Sequence, residues 1–118
     1  MCRALLYLGS PVALDTLTHR PDSALVRQST MPKMLHMLNL AGFGLRAWDR
    51  DSRDPGRPWA YGSTDIPVFD RNLESLAGKV VASAVLGHVR GVAYSTTADV
   101  TPANVHPFQF PGVPLAMA

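Results

Sequence analysis

A chain of 118 residues, 47% of them hydrophobic and 17% charged, fits one domain spanning residues 1–118, with a single core and little room for a second. The formal charge of +2 and the pI near 9.0 come from scattered arginines that do not alternate with aromatics, so composition gives no nucleic-acid interface. The single cysteine excludes an intramolecular disulfide and a cysteine-rich zinc site and points to a reducing cytoplasm, and no apolar run approaches the ~20 residues of a membrane span.

Residues 3–8 form a continuous apolar run, the pattern of a strand buried on both faces, and Gly9-Ser10-Pro11 ends it. The run is too short for a secretory h-region and no small-residue cleavage site follows it. Asp15-Thr16-Leu17-Thr18 predicts one helical turn, stopped at Arg20-Pro21 because the residue before a proline avoids the α region. Residues 22–29 fit either a short helix capped by Asp22 or Ser23, or a loop. Met31, Met34, Leu35 and Met37 read as irregular core filling, with a plastic binding wall as the alternative.

From Gly42 the period changes to two. Phe43, Leu45 and Ala47 fall on one face and Gly44, Arg46 and Trp48 on the other, as in a half-covered strand. Residues 49–58 read as an exposed turn and Trp59-Ala60-Tyr61 as the returning strand. Asp70 caps a helix with apolar Leu73, Leu76 and Ala77, and Gly78 supplies its stop. Residues 79–86 predict a second buried strand, which Gly87-His88-Val89-Arg90 carries into a polar end. Residues 91–107 read as a loop with one helical turn. Residues 113–118 read as the start of another strand that breaks off, the pattern expected of a fragment of a longer chain.

The chemistry concentrates at residue 2. Cysteine is small enough for methionine aminopeptidase to remove Met1, which leaves a thiol and an α-amine of pKa ~7.7–8.0 on one residue. A thiol of pKa ~8.5 is partly ionised near neutrality, so Cys2 becomes a nucleophile with its own base attached. The alternative is a buried, inert cysteine. Two further polar clusters interrupt apolar stretches. Arg90 offers a fork that matches a carboxylate, or else pairs with Asp99 or another surface acid. His88 reads as a strand histidine, and Asn104 and His106 stand on a loop just before Pro107, as hydrogen-bonding groups or as turn formers.

In this order the clusters resemble the class II glutamine amidotransferases, and within them the small proteins that begin Met-Cys-Arg. The matching stretches are Met1-Cys2-Arg3-Ala4-Leu5-Leu6-Tyr7-Leu8-Gly9, Ser23-Ala24-Leu25-Val26 with Gln28-Ser29, and Asn39 with Gly42-Phe43-Gly44. Gly87-His88-Val89-Arg90 and Asn104-Val105-His106-Pro107-Phe108 complete the set, which spans most of the chain. The resemblance implies an α+β fold of the N-terminal nucleophile hydrolase type, an αββα sandwich present here as its N-terminal part. It implies hydrolysis of the side-chain amide of glutamine or a γ-glutamyl compound through a Cys2 thioester, with ammonia released for a synthase domain or partner.

Carried onto this chain, Cys2 is the nucleophile and its α-amine the base, Arg90 binds the substrate α-carboxylate, and Asn104 and His106 shape the substrate pocket. Gly42-Phe43-Gly44 runs close beneath that site, where glycine admits a near backbone. No cofactor or metal is implied; the expected partners are the small-molecule amide and a synthase partner or a second copy, in the cytoplasm. Ala41 and Ala93 stand where many relatives have an acidic residue and a threonine. The family's oxyanion-binding Asn-Gly pair falls after residue 118, so the resemblance also implies impaired activity, since one lost oxyanion donor costs ~10²–10³ in turnover. The competing reading is a non-catalytic remnant of the same fold that serves as a binding or interaction module.

Overall fold

The computed structural model describes residues 2–34, 37–93, 99–113 and 115–118. In chain order the elements are β1 (Arg3–Ala13), α1 (Asp15–Thr18), α2 (Arg27–Thr30), β2 (Phe43–Trp48) and β3 (Trp59–Ser63). They continue with α3 (Arg71–Ala77), β4 (Val81–Val89), β5 (Phe108–Gln109) and β6 (Ala116–Met117). Single 3-10 turns stand at Pro67–Phe69 and Pro102–Asn104. The result is an α+β domain built on one antiparallel sheet, order β1-β4-β2-β3, with short helices and a small β5-β6 ribbon. Among the described residues no helix is long and apolar enough to cross a membrane.

Strand β4 is central, and its alternation divides the sheet into two faces. On one face Phe43, Leu45, Ala47, Val85 and Val89 meet Leu14, Leu25, Val26, Leu73 and Ala77 in the buried core. Each large aliphatic or aromatic side chain taken fully from water there contributes ~1.5–3 kcal/mol, which is why these short helices hold without strong local propensity. Gly87, opposite Leu45, sits in the middle of that face, and a Cβ there would lie 2.7 Å from Leu25 Cδ2. On the other face Gly44 stands level with His88, and the segment leading into β5 passes over them.

Local signals are realised where one residue controls them. Asp70 caps α3: its Oδ1 accepts from the Leu73 N–H at 3.0 Å, and its Oδ2 accepts from the Tyr61 hydroxyl. The predicted alternation of β2 is present, with Phe43 and Leu45 fully buried. Gly78 ends α3 with a right-handed φ of −77°, so the stop does not use glycine's left-handed freedom.

Other expectations are corrected. β1 does not end at Gly9; a register shift between Leu8 and Val12 absorbs Gly9-Ser10-Pro11, and the strand runs to Ala13. Proline is tolerated there because β1 is an edge strand at an irregularity. Nor is β1 buried on both faces, for Leu6 and Leu8 are 69% and 72% exposed. The residues that fit a helix or a loop become a loop and a single turn, α2, which neither Asp22 nor Ser23 caps; Asp22 instead pairs with Arg27 at 3.2 Å. Met31, Met34 and Met37 do not fill the core. They lie exposed, while leucine and valine from other segments fill the core. Leu35 lies outside the described residues. Leu76 is also exposed, at the solvent side of α3. The strand expected in residues 113–118 is only Ala116–Met117, paired with β5.

Because Asp70 serves both the helix end and Tyr61, the two functions separate by mutation. Asp70→Ala is expected to lower unfolding free energy by about 2 kcal/mol and Tyr61→Phe by about 1 kcal/mol, read from urea denaturation at constant slope. Equal losses would mean that the cap contributes nothing.

Candidate functional site

The site expected from the sequence gathers at the end of the sheet where β1 starts and β4 stops. Arg3 is level with Val89, so one further step of the same antiparallel register sets Cys2 level with Arg90. Cys2 is exposed, and its Sγ donates to the carbonyl of Gly91, the residue after Arg90, at 3.6 Å. Cys2, just before β1, is therefore not the buried cysteine of the alternative reading.

Arg90 is fixed by its own main chain. Its N–H donates to Gly42 O at 2.8 Å and its carbonyl accepts from Ala41 N–H at 3.0 Å, which continues the β2 ladder by one residue. Gly42 has φ +118°, a conformation that L side chains rarely adopt, so the chain entering β2 needs glycine at this point. The half-buried Arg90 donates from its guanidinium to the main-chain carbonyl of Asp99 at 3.2 Å. Asn104 Nδ2 donates to that same carbonyl at 3.3 Å. The side-chain ion pair with Asp99, one alternative from sequence, is absent among the described residues; the loop is held through its backbone instead.

His106 is brought to the neighbouring position on the sheet face. Its ring lies 4.6 Å from that of His88 and 4.2 Å from that of Phe108, centroid to centroid. The backbone of this segment rests directly on β2: a Cβ built on Gly44 would lie 2.1 Å from the His106 carbonyl oxygen, and one on Gly42 would lie 3.0 Å from Val105 Cγ2. The close approach expected at Gly42-Phe43-Gly44 is therefore present. The His106-Pro107 peptide is cis.

Thus Arg90 and Asn104 share one acceptor, Cys2 reaches the residue beside Arg90, and His106 packs two residues back along β4. His88, which sequence reasoning left as a strand histidine, is the missed member. It is 5% exposed, and burial, then the nearby His106 and Arg90, push its pKa down to about 4. The signal was its place in Gly87-His88-Val89-Arg90, but its partner could be found only in three dimensions.

The arrangement offers a surface thiol, a positioned guanidinium and polar loop groups. Among the described residues no three His, Cys, Asp or Glu side chains converge to hold a metal ion. Concavities elsewhere include a cavity of about 930 Å³ lined by Tyr61, Asp65, Phe69 and Asp70, and a groove of about 490 Å³ lined by Leu6, Leu8, Trp48, Leu86 and Ala116.

Gly44→Ala tests whether the segment must lie on β2. The added methyl meets backbone, which has no rotamer to change, so a loss of about 1–3 kcal/mol is expected in denaturant melts. Unchanged stability would mean that the segment does not rest there. No protein-family model matches the chain, and comparison with curated proteins finds no match.

Proposed function

We propose that this chain is an amide-hydrolysing domain of the class II glutamine amidotransferase kind, with Cys2 as nucleophile once Met1 is removed. The observation that carries the reading is an exposed thiol placed against the main chain directly after Arg90 at one end of the sheet, through the Arg3 to Val89 register and the 3.6 Å contact of Cys2 with the Gly91 carbonyl. The proposal includes the αββα architecture. In favour of it, helices cover one face of the sheet, while the β5-β6 ribbon and the segment before it lie over part of the other.

In the proposed reaction the free α-amine of Cys2 accepts the thiol proton, and the sulfur attacks the side-chain amide carbon of glutamine or a γ-glutamyl compound. The tetrahedral intermediate collapses with cleavage of the C–N bond, the amine returns the proton to the leaving nitrogen, and ammonia from glutamine, or the amine carried by a substituted γ-glutamyl amide, departs and leaves a γ-glutamyl thioester. Water, deprotonated by the same amine, then releases the acid and restores the thiol. Arg90 binds the α-carboxylate by a charge-assisted pair and so places the amide at the sulfur. Asn104, tied to the same Asp99 carbonyl as Arg90, orients the loop, and His106 forms part of the wall.

The test uses protein from which Met1 has been removed, verified by intact mass. The glutamine-mimicking electrophile diazo-oxo-norleucine is expected to add once, at Cys2, and glutamine to protect against it. Absence of a Cys2 adduct on such protein rejects the enzyme reading and favours a binding module. Arg90→Lys is expected to keep the thiol reactive toward iodoacetamide while weakening protection by glutamine roughly 10-fold or more, the cost of a charged bidentate contact.

A further inference from the structure

We propose that the tilted, packed imidazoles of His88 and His106 form an acid-released clasp that holds residues 104–108 on the glycine-lined face of the sheet. The two rings are 4.6 Å apart, and the Nδ1 atoms of both are buried without a hydrogen-bond partner. The His88 atom is tolerated only while that ring is neutral, and the apolar contact of the rings with Phe108 compensates it. The backbone beneath is bare of side chains at Gly44 and Gly42, and the segment rests there through these rings, Val105 and the fully buried Pro107.

The surroundings decide what a proton does. From β4, Arg90 lies on the same face two residues on. From β2, Arg46 lies two residues beyond Gly44 on that face and lines a hollow with Val105. From β1 the facing residues are Ala4 and the Cys2 thiol, and from β3 they are Ala60 and Gly62. From the segment itself come His106 and Asp99, the latter meeting Arg90 and Asn104 through its main-chain carbonyl. A proton on His88 therefore lands beside Arg90 and His106, with no carboxylate paired to either ring among the described residues. The charged ring gains its hydration only when the segment lifts.

The sign follows from linkage. The closed ring resists protonation, so closure is at full strength above the ordinary imidazole value of 6.5 and weakens as pH falls toward about 4, below which both states carry the proton. The device stands on these contacts alone and does not depend on the amide-hydrolysing reading. Where that reading holds, acid withdraws Asn104 and His106 from the pocket.

Hydrogen exchange of the full chain, corrected for intrinsic pH dependence, reads the segment directly. Protection of the Val105, His106, Phe108 and Gln109 amides is expected to fall on the order of tenfold or more between roughly pH 7 and pH 5, while β4 amides change less. In His88→Phe, which keeps a ring but cannot take the proton, protection of the segment should be flat over that range; His106→Phe is the second variant, on the other side of the clasp. His19 is an internal control: its pKa is also lowered by burial, but it follows α1, on the opposite side of the sheet, and neither variant touches it. NMR titration of the wild-type rings decides the matter even if a variant fails to fold. A His88 ring that titrates near 6.5 with no change at 105–109 overturns the clasp, as does acid release that persists in both variants.

Discussion

Everything at the candidate site depends on the hydrogen bonding of β4 to two partners at once. Val89 is level with Arg3 on one side and with Phe43 on the other, so a single main-chain row carries the start of β1, the end of β4 and the entry to β2. Because side chains alternate with a period of two, a slip of one residue in either ladder would send His88 and Arg90 to the core face and leave the terminal thiol without its neighbours. The register is protected by the cost of exposing Phe43, Leu45, Val85 and Val89, which any slip would turn outward. Burial on one face thus fixes chemistry on the other.

Space is the second constraint. A segment can lie on a sheet at backbone distance only where side chains are missing, and Gly44 supplies that gap directly under the His106 carbonyl. The same economy on the core side appears at Gly87, whose absent side chain is filled by Leu25 and Leu45. The two glycines act on opposite faces, one to admit a loop and the other to admit core side chains. Loop residues so placed hold a fixed position without regular secondary structure of their own, and the Asp99 carbonyl, shared by Arg90 and Asn104, fixes the loop's near end.

How far the sequence could be read follows from the range of each interaction. Asp70 as a cap and Phe43, Leu45 and Ala47 as one face were legible because each depends on neighbours within a few residues. The extension of β1 past Pro11 was not, since only its pairing with Ala82 and Val81 shows that a bulge can take up the interruption. Leu6 and Leu8 looked buried because an apolar run cannot say whether its strand lies at the centre or the edge of a sheet. The methionines misled for a related reason: their composition suits a core, but the core had already been filled by other segments. At the site, the residue types Cys2, Arg90, Asn104 and His106 stood out in the chain. The Asp99 and Gly91 carbonyls that organise them did not, because a backbone acceptor has no signature in the sequence, and the His88 to His106 ring contact joins residues far apart in the chain.

The central claim is that the terminal sulfur and the Arg90 guanidinium serve one amino-acid ligand. The most direct measurement is a crystal structure of the Met1-free chain with glutamate, the product of the proposed reaction. The account predicts the α-carboxylate on Arg90 and the side-chain carboxyl group beside Cys2 Sγ and its amine. Glutamate bound away from both groups, or an Arg90 guanidinium that stays on the Asp99 carbonyl without meeting the ligand, would contradict it.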